Sequence, residues 1–181
     1  MLHPLHQFSF CPKCGSNTFA ENNEKSNKCG QCGFIFYFNI SAAVAVLIVN
    51  SKNELLVCRR AHDPAKGTLD LPGGFVDMRE SGEEAAKREV KEETGLEIKQ
   101  LTYLFSLPNN YVYSDFEVQT LDMIYTARVD DGTVVSANDD VEEASFVPIS
   151  SLNPADFGLS SIKVVIRRFK AEHLNYLKSN Q

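Results

Sequence analysis

A glycine-rich loop that leads into an acidic helix is the feature that most constrains how this chain can fold. Residues 71–74 read Leu-Pro-Gly-Gly, and this proline and these glycines exclude a helix through that segment. Ser81 stands three residues before Glu84, a capping-box pattern that begins a helix, and Gly95 offers the left-handed stop that ends one. We therefore predict a helix that begins after Ser81 and ends near Thr94.

This helix carries three carboxylates at a spacing that aligns them on one face. Glu89, Glu92 and Glu93 stand at positions i, i+3 and i+4. Such a cluster repels itself, so divalent cations are its natural counter-charge, and its hard oxygen ligands favour Mg²⁺ or Mn²⁺ over zinc. The opposite face offers small and apolar side chains for burial against a sheet: Ala85, Ala86 and Val90. A solvated acidic helix is the competing interpretation, and the glycines and the complete motif spacing argue against it.

Four neighbouring residues are candidates for the same site. Arg88 stands four residues before Glu92 and keeps its charge at any physiological pH, so it can orient a carboxylate. Gly73 and Gly74 allow the backbone to approach a metal or a phosphate closely, which makes them predicted substrate-binding residues. Glu80 precedes the helix, where it either fixes the loop or binds a metal indirectly.

Residues 74–96 as a whole resemble the Nudix box. The first glycine is followed by five residues and Glu80, and then by seven residues and Arg-Glu-Val-Lys-Glu-Glu-Thr-Gly-Leu, so every fixed position is filled. The resemblance covers about residues 40–178 and implies an α/β class fold, the Nudix α/β/α sandwich with a mixed sheet. It also implies a pyrophosphohydrolase in which water attacks a phosphorus of a nucleoside diphosphate derivative, with Mg²⁺ or Mn²⁺ as the catalytic cofactor and a carboxylate as the base.

The family resemblance leaves open where the last metal ligand or base lies. It can come from the box itself, which adds Glu89, Glu92 and Glu93 to the catalytic candidates beside Arg88 and Glu80. It can also come from a later loop, and here residues 139–143 form the obvious acidic segment. Within that segment we prefer two residues as additional Mg²⁺ or Mn²⁺ ligands: Asp140 and Glu143.

Four of the five cysteines indicate a separate N-terminal module. They form two C-x2-C pairs, each followed by glycine, and a polar hairpin or loop is expected between the pairs: Cys11, Cys14, Cys29 and Cys32. Four thiolates at this spacing are typical of a closed tetrahedral zinc site with a structural role. Disulfide pairing is the alternative, and a reducing cytoplasm argues against it. We predict a Zn²⁺ ribbon over residues 1–38 and a Nudix hydrolase domain over residues 39–181.

The remaining segments predict the rest of the sheet and a second helix. Residues 40–49 are almost continuously apolar and rich in Val, Ile and Ala, which is typical of a strand buried on both faces. Cys58 falls in the next apolar strand and is expected to be an inert core residue. Further strands are predicted at 54–60 and at about 97–106, 117–129 and 144–148, with a C-terminal helix at about 159–177.

A zinc ribbon ahead of a Nudix domain resembles the NADH pyrophosphatase branch. That branch carries Ser-Gln-Pro-Trp-Pro-Phe-Pro after the box, whereas residues 106–114 read SLPNNYVYS here and the chain contains no Trp. ADP-ribose, dinucleotides such as NADH or FAD, and nucleoside diphosphate sugars are therefore all candidate substrates. Aromatic rings in this region offer either a stacking surface for a base or ordinary strand packing. We predict three further substrate-binding residues: Arg59, Tyr111 and Tyr113.

The net charge and the hydropathy of the chain indicate which partners it binds and where in the cell it is located. A net charge of −6 disfavours extended contact with a nucleic-acid backbone, and the cysteine module carries only a weak basic patch. The chain shows neither an apolar run long enough to span a membrane nor a signal-peptide pattern, so we expect a cytoplasmic protein without a membrane partner. The resemblance also leaves room for a homodimer. A catalytically silent, nucleotide-sensing Nudix domain is the alternative function, and the intact carboxylates argue against it.

Overall fold

In the computed structural model, which describes residues 3–113 and 115–179, the chain divides into two units, Met1–Ile40 and Ser41–Gln181. The first unit is a three-stranded antiparallel sheet in the order β1-β2-β3. Its strands are β1 (Phe19–Asn23), β2 (Ser26–Cys29) and β3 (Ile35–Tyr37). The polar segment between the two cysteine pairs is thus a hairpin, β1 and β2. A small core forms between the cysteines and two phenylalanines: Cys11, Cys29, Phe19 and Phe34.

The second unit contains six strands and two helices. The strands are β4 (Ser41–Val49), β5 (Glu54–Arg60), β6 (Leu69–Asp70), β7 (Thr102–Tyr113), β8 (Phe116–Arg128) and β9 (Val141–Pro148). The helices are α1 (Gly82–Thr94) and α2 (Ser160–Ser179), and two short 3-10 turns, Ile149–Ser151 and Pro154–Asp156, precede α2. None of the helices in the described part of the chain combines the length and the apolar character that a membrane span requires.

One mixed sheet organises this unit, with a helix on each face. The strand order is β6-β5-β4-β8-β7, and β9 pairs with β5. Only β4 and β8 run parallel, and the other pairs are antiparallel. On β4, Val46 packs with Val90 of α1 on one face and Leu47 packs with Ile166 of α2 on the other. The predicted α/β/α sandwich with a mixed sheet is confirmed, and β4 is buried on both faces because a helix covers each side.

Two strands differ from their predicted bounds. The strand predicted at about 97–106 begins and ends later, and the strand predicted at about 144–148 begins earlier. β7 begins at Thr102 and continues to Tyr113, past Pro108. This proline is compatible with the strand because β7 lies at the edge of the sheet, where a missing N–H leaves no neighbour unpaired. Ile98 lies before the strand, and its side chain is buried in the core beneath α1. β9 begins earlier than expected, at Val141.

Candidate functional site

Local sequence determines where α1 begins and ends. The Ser81 hydroxyl accepts a hydrogen bond from the Glu84 backbone N–H at 3.3 Å, and the Glu84 carboxylate accepts one from the Ser81 N–H at 2.8 Å. Gly95 ends the helix with φ 72°, and its N–H bonds the Lys91 carbonyl. Ala85, Ala86 and Val90 are fully buried against the sheet, so the carboxylate face is turned to the opposite side.

The loop before α1 runs along β4, and its glycines let the two backbones lie close together. The Val46 N–H bonds the Pro72 carbonyl at 2.9 Å, and the Val44 N–H bonds the Gly74 carbonyl at 2.8 Å. Gly73 has φ 153°, and a methyl group there would overlap the Val44 carbonyl oxygen. A methyl group on Gly74 would lie 2.5 Å from Glu89 Oε1. Gly73 is required because rigid backbone occupies the space of a side chain, whereas a side chain at Gly74 would displace the Glu89 carboxylate.

Gly73→Ala should lower the free energy of unfolding more than Gly132→Ala. Both positions have positive φ, but a methyl group on Gly132 would meet nothing within 4 Å. Gly132→Ala therefore costs backbone strain alone, about 1–2 kcal/mol, and the overlap at Gly73 should add about 1–3 kcal/mol. Urea unfolding of both variants measures the difference. Equal losses would show that the close approach to β4 is not required.

Arg88 connects the carboxylates around the helix. Its guanidinium donates to both oxygens of Glu80 at 2.9 Å, to Glu89 at 2.7 Å and to Glu92 at 3.0 Å. It also donates to the Phe75 carbonyl at 3.0 Å, which ties the loop to the helix. This ion pairing holds the pKa of Glu80 below its usual value. Glu80 also accepts from the Asp77 N–H at 3.0 Å, a position that favours the loop-fixing role over metal binding.

A cavity of about 610 Å³ opens beside this face of α1. Glu89, Glu92 and Glu93 all line it, as do Gly73 and Gly74. Glu93 is 8% exposed and accepts from the Gly73 N–H at 2.9 Å. Burial raises the pKa of Glu93 to about 8, against the opposing effect of that hydrogen bond. Burial also raises the pKa of Glu89.

The charge around the cavity is strongly negative. Nine acidic residues line it: Asp63, Asp70, Asp77, Glu89, Glu92, Glu93, Asp122, Asp139 and Asp140. Among the described residues, two arginines line it with them, Arg60 and Arg88. In the described part of the chain, no three of these carboxylates bring one oxygen each within 4.8 Å of one another. Hard oxygen ligands, an excess of negative charge and buried carboxylates with raised pKa are the chemistry that fits Mg²⁺ or Mn²⁺.

The predicted site residues divide between the cavity and its surroundings. Arg88, Tyr111 and Asp140 line the cavity together with the glycines and the α1 carboxylates. Arg59 and Glu143 do not line it, and they form an ion pair with each other at 3.3 Å. Tyr113 lies on β7, but its side chain lies outside the described part of the structure.

The sequence predicted Arg59 as a substrate-binding residue, but the neighbouring Arg60 lies in the cavity. Successive residues of a strand point to opposite faces, and it is Arg60 that lines the cavity. Arg60 is held by the Asp70 carboxylate at 2.7 Å and by the Pro64 carbonyl at 2.8 Å. Three polar cavity residues on β7 and β8 were also missed: Asn109, Thr120 and Asp122. The carboxylate of Asp122, directly before the apolar run Met123-Ile124-Tyr125, was the signal that could have revealed the last of them.

The cysteine cluster of the first unit has the geometry of a zinc site. Sγ of Cys11 and Cys32 are 3.7 Å apart, as are Sγ of Cys14 and Cys29, and all four lie within 4.8 Å of one another. A tetrahedral zinc with Zn–S bonds of about 2.3 Å separates its sulfurs by about 3.8 Å, whereas a disulfide requires about 2.05 Å. The backbone N–H of Cys32 lowers the pKa of Cys29 to about 6, whereas the pKa of Cys14 is raised to about 12, because the lowering effect of the Ser16 backbone N–H is outweighed by the hydrogen bonds of the neighbouring thiols together.

The fifth cysteine, Cys58, lies outside the cysteine cluster. Cys58 is buried within β5. Burial raises the pKa of its thiol, which keeps it protonated and unreactive. Its burial agrees with the prediction of an inert core residue, and its side chain also lines the carboxylate cavity.

Two curated relatives are similar to the chain over most of its length. It is 30% identical over 145 residues to the NAD-capped RNA hydrolase NudC of Pseudomonas aeruginosa, a match that covers 80% of this chain and 49% of that protein. It is 29% identical over 177 residues to the NAD-capped RNA hydrolase NudC of Haemophilus influenzae, covering 94% of this chain and 65% of that protein. The chain thus spans about half to two thirds of the length of these relatives.

Solved structures and a family model agree on the fold. A NUDIX hydrolase from Nitrosomonas europaea superposes with a TM-score of 0.68 at 20% identity, covering 92% of this chain and 93% of that chain. A MutT/nudix family protein from Enterococcus faecalis gives a TM-score of 0.54 at 27% identity, covering 61% of this chain and 44% of that one. The NUDIX domain model matches residues 40–169. This match takes in the whole sheet of the second unit, the box helix and the carboxylate cavity, so the chain belongs to the NUDIX domain family.

Proposed function

We propose that this chain hydrolyses the diphosphate linkage of a nucleoside diphosphate derivative in a reaction that depends on Mg²⁺ or Mn²⁺. The observation that carries the proposal is the convergence of Glu89, Glu92 and Glu93 on one cavity, with Arg88 bound to two of them. Family membership and the hydrolase names of the curated relatives support it.

A divalent cation bound by these carboxylates would supply positive charge to the diphosphate and acidify the attacking water. Glu89, Glu92 and Glu93 are the proposed ligands, and Asp140 faces the same cavity as a further ligand or the general base. Arg88 keeps Glu89 and Glu92 in position through its hydrogen bonds. The nine acidic residues of the lining would repel a diphosphate without such cations.

Other residues of the cavity are suited to hold the rest of the substrate. Arg60 presents a guanidinium that Asp70 orients, a group that matches phosphate oxygens. Tyr111 packs edge-on against Phe75, with ring centroids 5.7 Å apart, and offers an aromatic surface for a base. Gly73 and Gly74 line the same cavity, and their missing side chains let the loop backbone lie directly against β4 and the Glu89 carboxylate.

The first unit has a separate proposed role. Its four thiolates would hold one structural Zn²⁺ in a ribbon of residues 1–38, ahead of a hydrolase domain of residues 39–181. A closed shell of four cysteines leaves no coordination position for a substrate or for water. We therefore assign the hydrolysis to the carboxylate cavity alone.

A substrate panel tests the proposed function. The panel contains ADP-ribose, NADH, FAD, UDP-glucose and an RNA with a 5′ NAD cap, because the curated relatives are named for that cap. We expect hydrolysis of at least one member with Mg²⁺ or Mn²⁺, loss of activity with EDTA, and two monophosphate products identified by mass. Incorporation of ¹⁸O from labelled water shows which phosphorus is attacked. If no member is hydrolysed although ADP-ribose binds, the chain is a nucleotide sensor and not a hydrolase.

A further inference from the structure

Three buried polar side chains form a wall on the α2 side of the cavity. Asn109, Thr120 and Asp122 are 8%, 4% and 7% exposed, and all three line the cavity. Asn109 on β7 lies opposite Thr120 on β8. Along β8, Thr120 and Asp122 alternate toward the same face as Ile124, which belongs to the core beneath α2. Polar groups therefore occupy positions that the fold elsewhere fills with apolar side chains.

Neutral hydroxyl groups hold Asp122 in place. Its two carboxylate oxygens accept from Thr120 Oγ1 and from Ser161 Oγ, each at 2.6 Å. A carboxylate has about four acceptor positions, so these two hydrogen bonds leave about half of its capacity unused. Because Asp122 also lines the cavity, that remaining capacity is available to a group bound there.

The second buried aspartate of the cavity, Asp70, differs from Asp122 because a cation neutralises it. Asp70 is 7% exposed and paired with Arg60 at 2.7 Å. Among the residues whose side chains the structure describes, 3–112 and 115–172, no ion pair within 4.0 Å involves Asp122. The start of α2 at Ser160 explains how this charge is tolerated, since a helix N-terminus favours an anion. An aspartate could stabilise the start of α2 without lining the cavity, so this role does not explain why Asp122 faces the cavity.

We propose that Asp122 recognises two adjacent hydrogen-bond donors on the nucleoside part of the substrate, an inference that rests on the proposed function. A carboxylate only accepts hydrogen bonds, so it matches neighbouring donors. Nucleosides offer two such pairs, the vicinal hydroxyls of ribose and the N1–H and 2-amino edge of guanine. Asp122 contacts α2, whereas the proposed metal ligands Glu89, Glu92 and Glu93 belong to α1 on the other face of the sheet. The cavity thus has a metal end and a nucleoside end.

Binding of nucleoside monophosphates tests this inference without any hydrolysis of the ligand. Isothermal calorimetry on the full chain with Mg²⁺ compares AMP with 2′-deoxy-AMP and GMP with inosine monophosphate, which lacks the 2-amino group. None of these ligands carries a diphosphate linkage that the chain could hydrolyse. We expect one of the two pairs to differ in affinity by about 10- to 100-fold, as for a lost hydrogen bond to a charged acceptor. The pair that differs identifies ribose or guanine as the recognised group.

Variants then assign the discrimination to the carboxylate. Asp122→Asn should reduce the affinity ratio to about 3-fold or less, whereas Glu117→Gln, an exposed change on the same strand, should keep it. If Asp122→Asn does not fold, Thr120→Val removes one hydrogen bond that positions Asp122 and should still reduce the ratio several-fold.

The outcomes separate this inference from the proposed function. No discrimination by the wild-type chain in either pair overturns the inference, and so does an unchanged ratio in a folded Asp122 or Thr120 variant. Hydrolysis of the substrate panel without discrimination rejects the role of Asp122 alone. Discrimination that Asp122→Asn abolishes, in a chain that hydrolyses no panel member, supports the nucleoside end and rejects only the proposed hydrolase function.

Discussion

Glu89→Gln, Glu92→Gln and Glu93→Gln should each lower the turnover of a confirmed diphosphate substrate by about 10²- to 10⁴-fold. Glu89→Gln and Glu92→Gln each remove a carboxylate from a cavity lined by nine acidic residues and two arginines, and Glu93→Gln replaces a carboxyl group that burial already keeps mostly neutral below about pH 8 in the metal-free protein. The metal-free protein should therefore be as stable as wild type or more stable. Losing one carboxylate weakens cation binding and the activation of water, so activity falls where stability does not. Near-normal activity in all three variants would show that the reaction takes place elsewhere.

The pH dependence of stability gives an independent measurement on Glu93→Gln. Burial raises the pKa of Glu93 in the folded protein to about 8, above its unfolded value of about 4.3. The stability linked to its neutral form is fully present below the unfolded pKa and is lost as the pH rises through about 8. The variant should therefore gain stability relative to wild type as the pH rises from about 4.3 to 8. Urea unfolding in EDTA measures this, with the exposed Glu117→Gln as the control.

Metal titration separates the roles of the carboxylates. Excess Mg²⁺ or Mn²⁺ should restore turnover to a variant that has lost a ligand, because occupancy of the site is what limits it. The same excess should do little for a variant that has lost the general base. Asp140→Asn belongs in the same series because Asp140 faces the cavity with the α1 carboxylates. The variant that metal does not rescue identifies the base.

Removing zinc should unfold the first unit of the chain and leave the second folded. In the described part of the first unit, the hydrophobic cluster contains two cysteines and two phenylalanines, and Leu5 is buried as well. This is too little apolar burial to stabilise the unit without a metal. Structural zinc in comparably small modules contributes an apparent free energy of about 10–16 kcal/mol at neutral pH. A strong chelator should therefore expose residues 11–37 to proteolysis while the second unit resists cleavage.

Cysteine variants provide the matched comparison. Elemental analysis should find one zinc per chain, and Cys11→Ser or Cys32→Ser should lower that content and loosen the first unit. Cys58→Ala should keep the full zinc content, because Cys58 lies in β5 of the second unit. A zinc-free chain with an ordered first unit would contradict the assignment. A disulfide that persists between the two cysteine pairs under reducing conditions would contradict it as well.

The sequence alone was sufficient for features that depend on neighbours along the chain. Ser81, Glu84 and Gly95 determine where α1 begins and ends, because capping hydrogen bonds join residues three or four apart. The period of the helix places the carboxylates on one face and Val90 on the other. Cysteine spacing predicted the cluster for the same reason, since two C-x2-C pairs bring four sulfurs together in a short module.

Tertiary structure decided everything that depends on register between distant segments. Sequence spacing suggested that Arg88 orients Glu92, and the fold adds Glu80 and Glu89 as partners because the loop doubles back over the helix. Arg59 and Arg60 look equivalent in the sequence, and only the pleat of β5 turns Arg60 toward the cavity. Asp122 becomes a candidate for recognition only when β8 and the start of α2 meet around it. Such contacts depend on how distant strands and helices pair and pack. The residues next to a position in the sequence do not determine that pairing.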